Sequence, residues 1–190
     1  MEAAALDGGF DDAAVDAARG FRAVMRAMAR PGTLERVTGA MPPAPLSVAA
    51  GGALLVLCDP GTPVRLAGSH DIQAVRDWIA FHTGAPAVAE PGAAMFAVGT
   101  WAALTPLDGY AAGEPEYPDR SATLIVELDR LEPRGAVLTG PGIAGTAALS
   151  LPETAAFRTN AARFPLGLDF LFCCGDRLAG LPRSTRVEAG

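Results

Sequence analysis

A chain of 190 residues suits one domain, and with half of them hydrophobic it can bury a substantial core. Its net charge of −6 excludes nucleic-acid binding through the overall field, so an anionic ligand needs a local cluster of positive groups. All 15 cationic side chains are arginine. Genome composition accounts for that, yet without lysine no Schiff base with pyridoxal phosphate or a carbonyl substrate forms, and a Walker A loop is excluded.

The longest apolar run, Ala53 to Cys58, falls far short of the about 20 residues that a membrane span needs. Residues Met1–Ala5 lack the basic start and apolar run of a signal peptide, so the expectation is a cytoplasmic protein that binds no membrane. Cys58, Cys173 and Cys174, an odd count with no secretory leader, argue against a disulfide framework.

In chain order, residues 1–9 are small and acidic and are expected to fray. Asp11 or Asp12 caps a helix that runs to about Ala29 and is closed by Pro31-Gly32. Phe21, Val24, Met25 and Met28 form an apolar stripe on it, and Arg19, Arg22, Arg26 and Arg30 a second one. The arginine stripe has two readings: a solvated face partly paired with Asp12 and Asp16, or a docking face for an acidic partner. Residues 39–52 read as a loop or irregular crossing, Ala53 to Cys58 as a buried strand and Asp59–Pro63 as a turn.

Val64–Leu66 is a short strand. A second helix starts at Ser69 or Asp71, turns Ile72, Val75, Trp78 and Ile79 inward, and stops at Gly84 and Pro86. His82 lies in its last turn, where the helix dipole favours a cation. Ala94–Val98 and Ala122–Leu128 read as strands around a loop-like 105–119, and Ala136–Leu138 as a strand able to pair with the second. Ser150 and Glu153 fit a capping box for a helix over 152–162. Leu168–Cys174 and Leu178–Leu181 form a hairpin about Gly175-Asp176. The expected fold is a single α/β domain over 1–190, a mixed sheet flanked by helices.

Two features suit anions. Gly140-Pro-Gly142-Ile-Ala-Gly145 has the G-x-G-x-x-G spacing of a phosphate-cradling loop. It lies late in the chain, however, its helix signal is delayed to Ser150, and Pro141 offers no N–H. The other reading is a tight turn. Arg183 and Arg186, beside Ser184 and Thr185, suit a phosphate or carboxylate, or else form a plain strand end. Gly140, Gly142, Arg183 and Arg186 are therefore the candidate ligand-binding residues. No catalytic constellation and no metal-ligand spacing is present: Cys173 and Cys174 are adjacent, and His70 and His82 are the only histidines.

Four stretches taken together resemble one family. "FRAVMRAMARPG" (21–32), "FHTGAP" (81–86), "LTGPGI" (138–143) and "FPLGLDFLFCCGDRLAGLPRSTRVE" (164–188) are similar, in order, to the PhnH family of the bacterial carbon–phosphorus lyase system. The Ala/Gly-rich stretch 39–53 carries little of that likeness. The resemblance implies work in phosphonate catabolism. It implies assembly with the PhnG, PhnI and PhnJ proteins, together with an ATP-binding-cassette-like partner. That assembly makes α-D-ribose 1-methylphosphonate 5-triphosphate from ATP and methylphosphonate, displacing adenine; the later radical cleavage belongs to PhnJ.

The same resemblance implies a fold similar to pyridoxal-phosphate-dependent transferases without that cofactor, and a homodimer. It brings no catalytic residue with it. Three roles follow as expectations: a structural or binding subunit, a subunit that contacts nucleotide or phosphonate at a shared active site, and a stand-alone enzyme of another class.

Overall fold

The computed structural model describes residues 7–190; the expected fraying of residues 1–6 lies outside the described residues. Asp12 caps the first helix, α1 (Ala13–Ala29), its side chain accepting from the Val15 N–H. Its carboxylate thus serves the helix end, while Arg19 meets Asp16 at 3.7 Å and Arg26 meets Glu35 at 2.7 Å. After a two-residue strand, β1 (Glu35–Arg36), comes a second helix, α2 (Val48–Leu57). Then β2 (Val64–Leu66), α3 (Gln73–Thr83), β3 (Phe96–Thr100) and the one-turn α4 (Trp101–Leu104) follow. Gly84 closes α3 in the left-handed conformation, φ 70°. The rest is β4 (Ala112–Glu114), β5 (Tyr117–Ser121), β6 (Thr123–Glu127), β7 (Ala136–Thr139), β8 (Ala147–Leu149), α5 (Ala155–Ala161), β9 (Asp169–Cys174), β10 (Arg177–Leu181) and β11 (Arg186–Glu188).

Six strands form one mixed sheet in the order β1-β10-β9-β6-β3-β2. β2, β3, β6 and β9 are parallel, and β10 and β1 add an antiparallel edge through the expected hairpin at Gly175-Asp176. Period-two alternation sends successive side chains to opposite faces. Ile125, Leu171, Cys173 and Leu178 face α1, α2 and α3, where they meet Val24, Leu54, Val75 and Trp78. Leu124, Val126, Phe170 and Phe172 face the other way, onto Leu104, Leu138, Leu149 and Phe157. Each such large apolar side chain contributes about 1.5–3 kcal/mol by leaving water.

Several expectations fail for physical reasons. The run Ala53 to Cys58 is not a strand but the second half of α2, which begins inside the expected loop. Ser47 caps it by accepting from the Ala50 N–H, and it is buried along most of its length. A helix apolar all round has no period to distinguish it from a buried strand. On α1 the buried residues are Gly20, Ala23, Val24 and Ala27, whereas Phe21 and Met25 of the expected stripe are about half exposed. The sheet comes too close for large residues: a Cβ on Gly180 of β10 would lie 2.7 Å from the Ala27 carbonyl. Ile72, just before α3, is 40% exposed rather than inward.

Ala136–Leu138 does not pair with β6, whose two edges are taken by β3 and β9. It joins instead β8 and β11 in a separate antiparallel sheet, order β11-β7-β8. The loop-like 105–119 contains most of the β4–β5 hairpin. The capping box does not form: α5 starts at Ala155 and its first turn has no side-chain cap. Ser150 Oγ accepts from the Glu132 N–H at 2.9 Å, and Glu153 Oε1 from the Trp101 indole N–H at 3.1 Å.

The α1–β10 contact gives a direct stability expectation. Gly180→Val forces a branched side chain into the Ala27 backbone and lowers the unfolding free energy by about 1–3 kcal/mol, read from the urea midpoint. An unchanged midpoint contradicts the close approach.

Candidate functional site

The anion-suited residues gather where β7, β11 and the start of β9 meet, but they do not act together. Beyond β10 the chain turns through Pro182–Thr185, with the Thr185 N–H donating to the Pro182 carbonyl at 2.9 Å. This turn carries Arg183 back over Asp169, the first residue of β9. The Arg183 backbone N–H donates to Asp169 Oδ1 at 2.8 Å and its Nε to the same oxygen at 3.2 Å. Nη2 meets Oδ2 at 2.5 Å, and Nη1 donates to the Pro118 carbonyl. Both side chains are largely shielded, 14% and 17% exposed. A bidentate, charge-assisted pair of this kind ties the start of β9, the β10–β11 turn and the β4–β5 hairpin together. Arg183 is thereby occupied inside the fold.

The glycine-rich stretch is the loop of the β7–β8 hairpin, not a strand-to-helix turn. Gly140 has φ +136°, and a Cβ there would lie 3.0 Å from the Ser184 carbonyl oxygen. Gly142 has φ +80°, and its Cβ would fall 2.0 Å from the carbonyl oxygen of Ala29, the last residue of α1. The loop thus presses against a helix C-terminus, where unpaired carbonyls carry partial negative charge. That is the opposite of the helix N-terminus that favours a phosphate. Arg186 stands in register with Thr139, so Gly140 and Arg186 are neighbours. Arg186 is exposed and makes no ion pair among the described residues. The structure therefore brings Gly140 and Arg186 together and turns Arg183 away.

A second polar group, missed from the sequence, lies at the carboxyl ends of the parallel strands, where open α/β sheets place ligands. Glu127 ends β6, and its Oε1 accepts from the Ser47 N–H at 2.7 Å, so its carboxylate sits at the N-terminus of α2. Burial raises its pKa, and the bonds from Ser47 oppose that. An acidic residue ending an apolar strand was the available signal; its partner, far away in sequence, had none. His70, just beyond β2, is 2% exposed with neither ring nitrogen hydrogen-bonded. Burial lowers its pKa, and the nearby Pro45 carbonyl opposes this without meeting hydrogen-bond geometry.

Two of the three cysteines are kept from acting as nucleophiles by burial. Burial pushes the Cys58 thiol up to about 12, and burial, with Glu127 nearby, holds Cys173 well above the usual thiol range. Both are protonated at neutral pH and inert. A groove of about 330 Å³ lies between the 105–108 turn and α5, lined by Thr105, Asp108, Glu153, Asn160 and Arg163 among others. Two of its polar groups are occupied: Glu153 holds Trp101, and Asn160 exchanges two 2.8 Å bonds with the Leu168 backbone. Among the described residues no group of three His, Cys, Asp or Glu side chains is placed to hold a metal ion.

The buried histidine makes stability depend on pH. The unfolded chain binds a proton near pH 6.5, and folded His70 binds one only at lower pH, so stability falls as pH drops through 6.5. Between pH 7.5 and 5.5 the wild type loses more unfolding free energy than His70→Phe, by at most about 1.4 kcal/mol per pH unit. Parallel pH profiles in chemical denaturation contradict this.

Residues 8–188 match the family model described as bacterial phosphonate metabolism protein (PhnH), and all four stretches of the sequence resemblance fall inside that span. The chain is also 40% identical over 191 residues to the Alpha-D-ribose 1-methylphosphonate 5-triphosphate synthase subunit PhnH of Rhizobium meliloti (strain 1021), covering 95% of this chain and 94% of that protein. A match that runs through all three sheets, the five α-helices of the described residues and the Arg183 turn takes in every element of the fold: the chain belongs to the PhnH family of bacterial phosphonate metabolism proteins.

Proposed function

We propose that this chain is a subunit of an α-D-ribose 1-methylphosphonate 5-triphosphate synthase, serving organic phosphonate catabolism by supporting the assembly rather than by chemistry of its own. The observation that carries this reading is the end-to-end likeness to a protein named as a subunit of that synthase. The geometry supports it further. The polar side chains best placed to greet a ligand are engaged inside the protein: Arg183 holds Asp169 and the Pro118 carbonyl, and Glu127 and Asn160 hold backbone groups.

In this reading the partners are the PhnG, PhnI and PhnJ proteins, with a homodimer as the isolated form, and the compartment is the cytoplasm. No helix among the described residues is long and apolar enough to cross a membrane. The family resemblance extends this reading to a fold akin to pyridoxal-phosphate-dependent transferases; the mixed α/β sheet is in keeping with that, and the lysine-free sequence has no amine to hold the cofactor as a Schiff base. One observation favours a second reading, direct contact with the nucleotide or phosphonate: Arg186 is exposed beside Gly140 and unpaired among the described residues.

Reconstitution of the synthase with and without this chain tests the proposal. The chain is expected to co-elute with the other subunits, and omitting it lowers product formation from ATP and methylphosphonate at least about tenfold. Full turnover without it contradicts the proposal. Arg186→Ala separates the two readings: it leaves KM for both substrates unchanged under the first and raises one of them under the second.

A further inference from the structure

The outward face of α1 is apolar where a solvated helix is polar. Ala14, Ala18, Phe21 and Met25 follow the i, i+4, i+7, i+11 spacing by which one helix packs on another, and all four are exposed. Phe21 and Met25 are 48% and 51% exposed. Close approach to β10 at Ala27 leaves the inner face of α1 to Gly20, Ala23, Val24 and Ala27, and Phe21 and Met25 lie on the opposite face. Exposed apolar side chains arranged as a seam mark an interaction surface.

The charges beside the seam identify the occupant. Arg22 borders it between Ala18 and Met25, and Arg30 lies beyond its C-terminal end. Neither has an ion-pair partner among the described residues, whereas Arg19 and Arg26 are paired with Asp16 and Glu35. The chain as a whole is acidic, at −6, and Asp11 and Asp12 precede Ala14, so Arg22 and Arg30 make the C-terminal half of this face a local positive site on a negative protein. A second copy fits badly. A twofold axis through the midpoint of Phe21 and Met25, perpendicular to both helices, puts the two Arg22 residues on the same side, roughly 3 Å apart along the helix direction. A partner carrying carboxylates meets the same face without that repulsion.

We propose that the Ala14–Ala18–Phe21–Met25 seam, bordered by Arg22, docks an acidic amphipathic helix of another subunit of the synthase. This rests on the chain being such a subunit, and it assigns the surface that the likeness to a named subunit leaves open.

The test compares wild type, the double variant Phe21→Ser/Met25→Ser, Arg22→Glu and the control Phe164→Ser, each co-expressed with the other synthase subunits and followed by size-exclusion chromatography and titration. Phe164 is 61% exposed and lies away from α1, after α5. The double variant and Arg22→Glu are expected to keep the wild-type melting temperature as free chains and to bind the other subunits about tenfold more weakly or worse. Phe164→Ser binds as wild type does. If wild type fails to assemble, the subunit reading falls and takes this inference with it. If wild type and both α1 variants assemble equally well, the subunit reading stands and the inference is overturned. A free dimer that the double variant dissociates, with synthase assembly intact, also overturns it by making a second copy the occupant.

Discussion

Burial of the central sheet on both faces is the constraint from which the rest of the structure follows. β6 and β9 run side by side in the middle, and Leu124, Ile125, Val126, Phe170, Leu171 and Phe172 are essentially without solvent contact. Parallel strands buried in this way need a layer on each side. Three helices cover one face, while the β7–β8–β11 sheet with α4 and α5 covers the other. The tight fit of α1 on β10 belongs to the same constraint. Gly20, Ala23, Val24 and Ala27 face the sheet, while Phe21 and Met25 lie on the outside of the helix.

Polar residues complete this frame rather than opening it. Asp169 and Arg183 add a polar tie between the start of β9, the turn into β11 and the β4–β5 hairpin. Glu127 closes the N-terminus of α2, and Asn160 closes the entry to β9. A shielded carboxylate–guanidinium pair is costly to break from one side, because the remaining charge loses its partner. Such a pair makes a poor ligand site, since the incoming anion has to displace an internal carboxylate. In the proposed reading the surfaces left for other molecules are the outer face of α1 and the exposed Arg186.

Much of the fold was legible locally. The Asp12 cap, the Gly84 stop and the Gly175-Asp176 hairpin are short-range chemistry, and each is present as read. Five of the six strands of the central sheet were legible from their apolar runs; the two-residue β1, Glu35–Arg36, has none and was not read. α2 was not, because Val48 to Leu57 carries no period, and its cap at Ser47 precedes residues that look like loop. β7 was found but given the wrong partner, since pairing depends on which strand edges are already filled. The candidate site shows the same boundary. Arg183 was singled out as a residue suited to grip the phosphate or carboxylate of a ligand, and within the fold its guanidinium meets Asp169 of the same chain. The glycine loop was correctly read in its alternative form as a turn after a strand, and the α1 C-terminus beneath Gly142 lies more than a hundred residues away in sequence.

The central claim is that Arg183 serves the fold and is not open to substrate. Side-chain 15N NMR of the 15 arginines reads this directly, free of lysine signals. The account expects the Arg183 Nε–H to exchange slowly and to stay unmoved by saturating ATP and methylphosphonate. An Arg183 resonance that exchanges as fast as the exposed arginines, or that shifts on adding either compound, contradicts it.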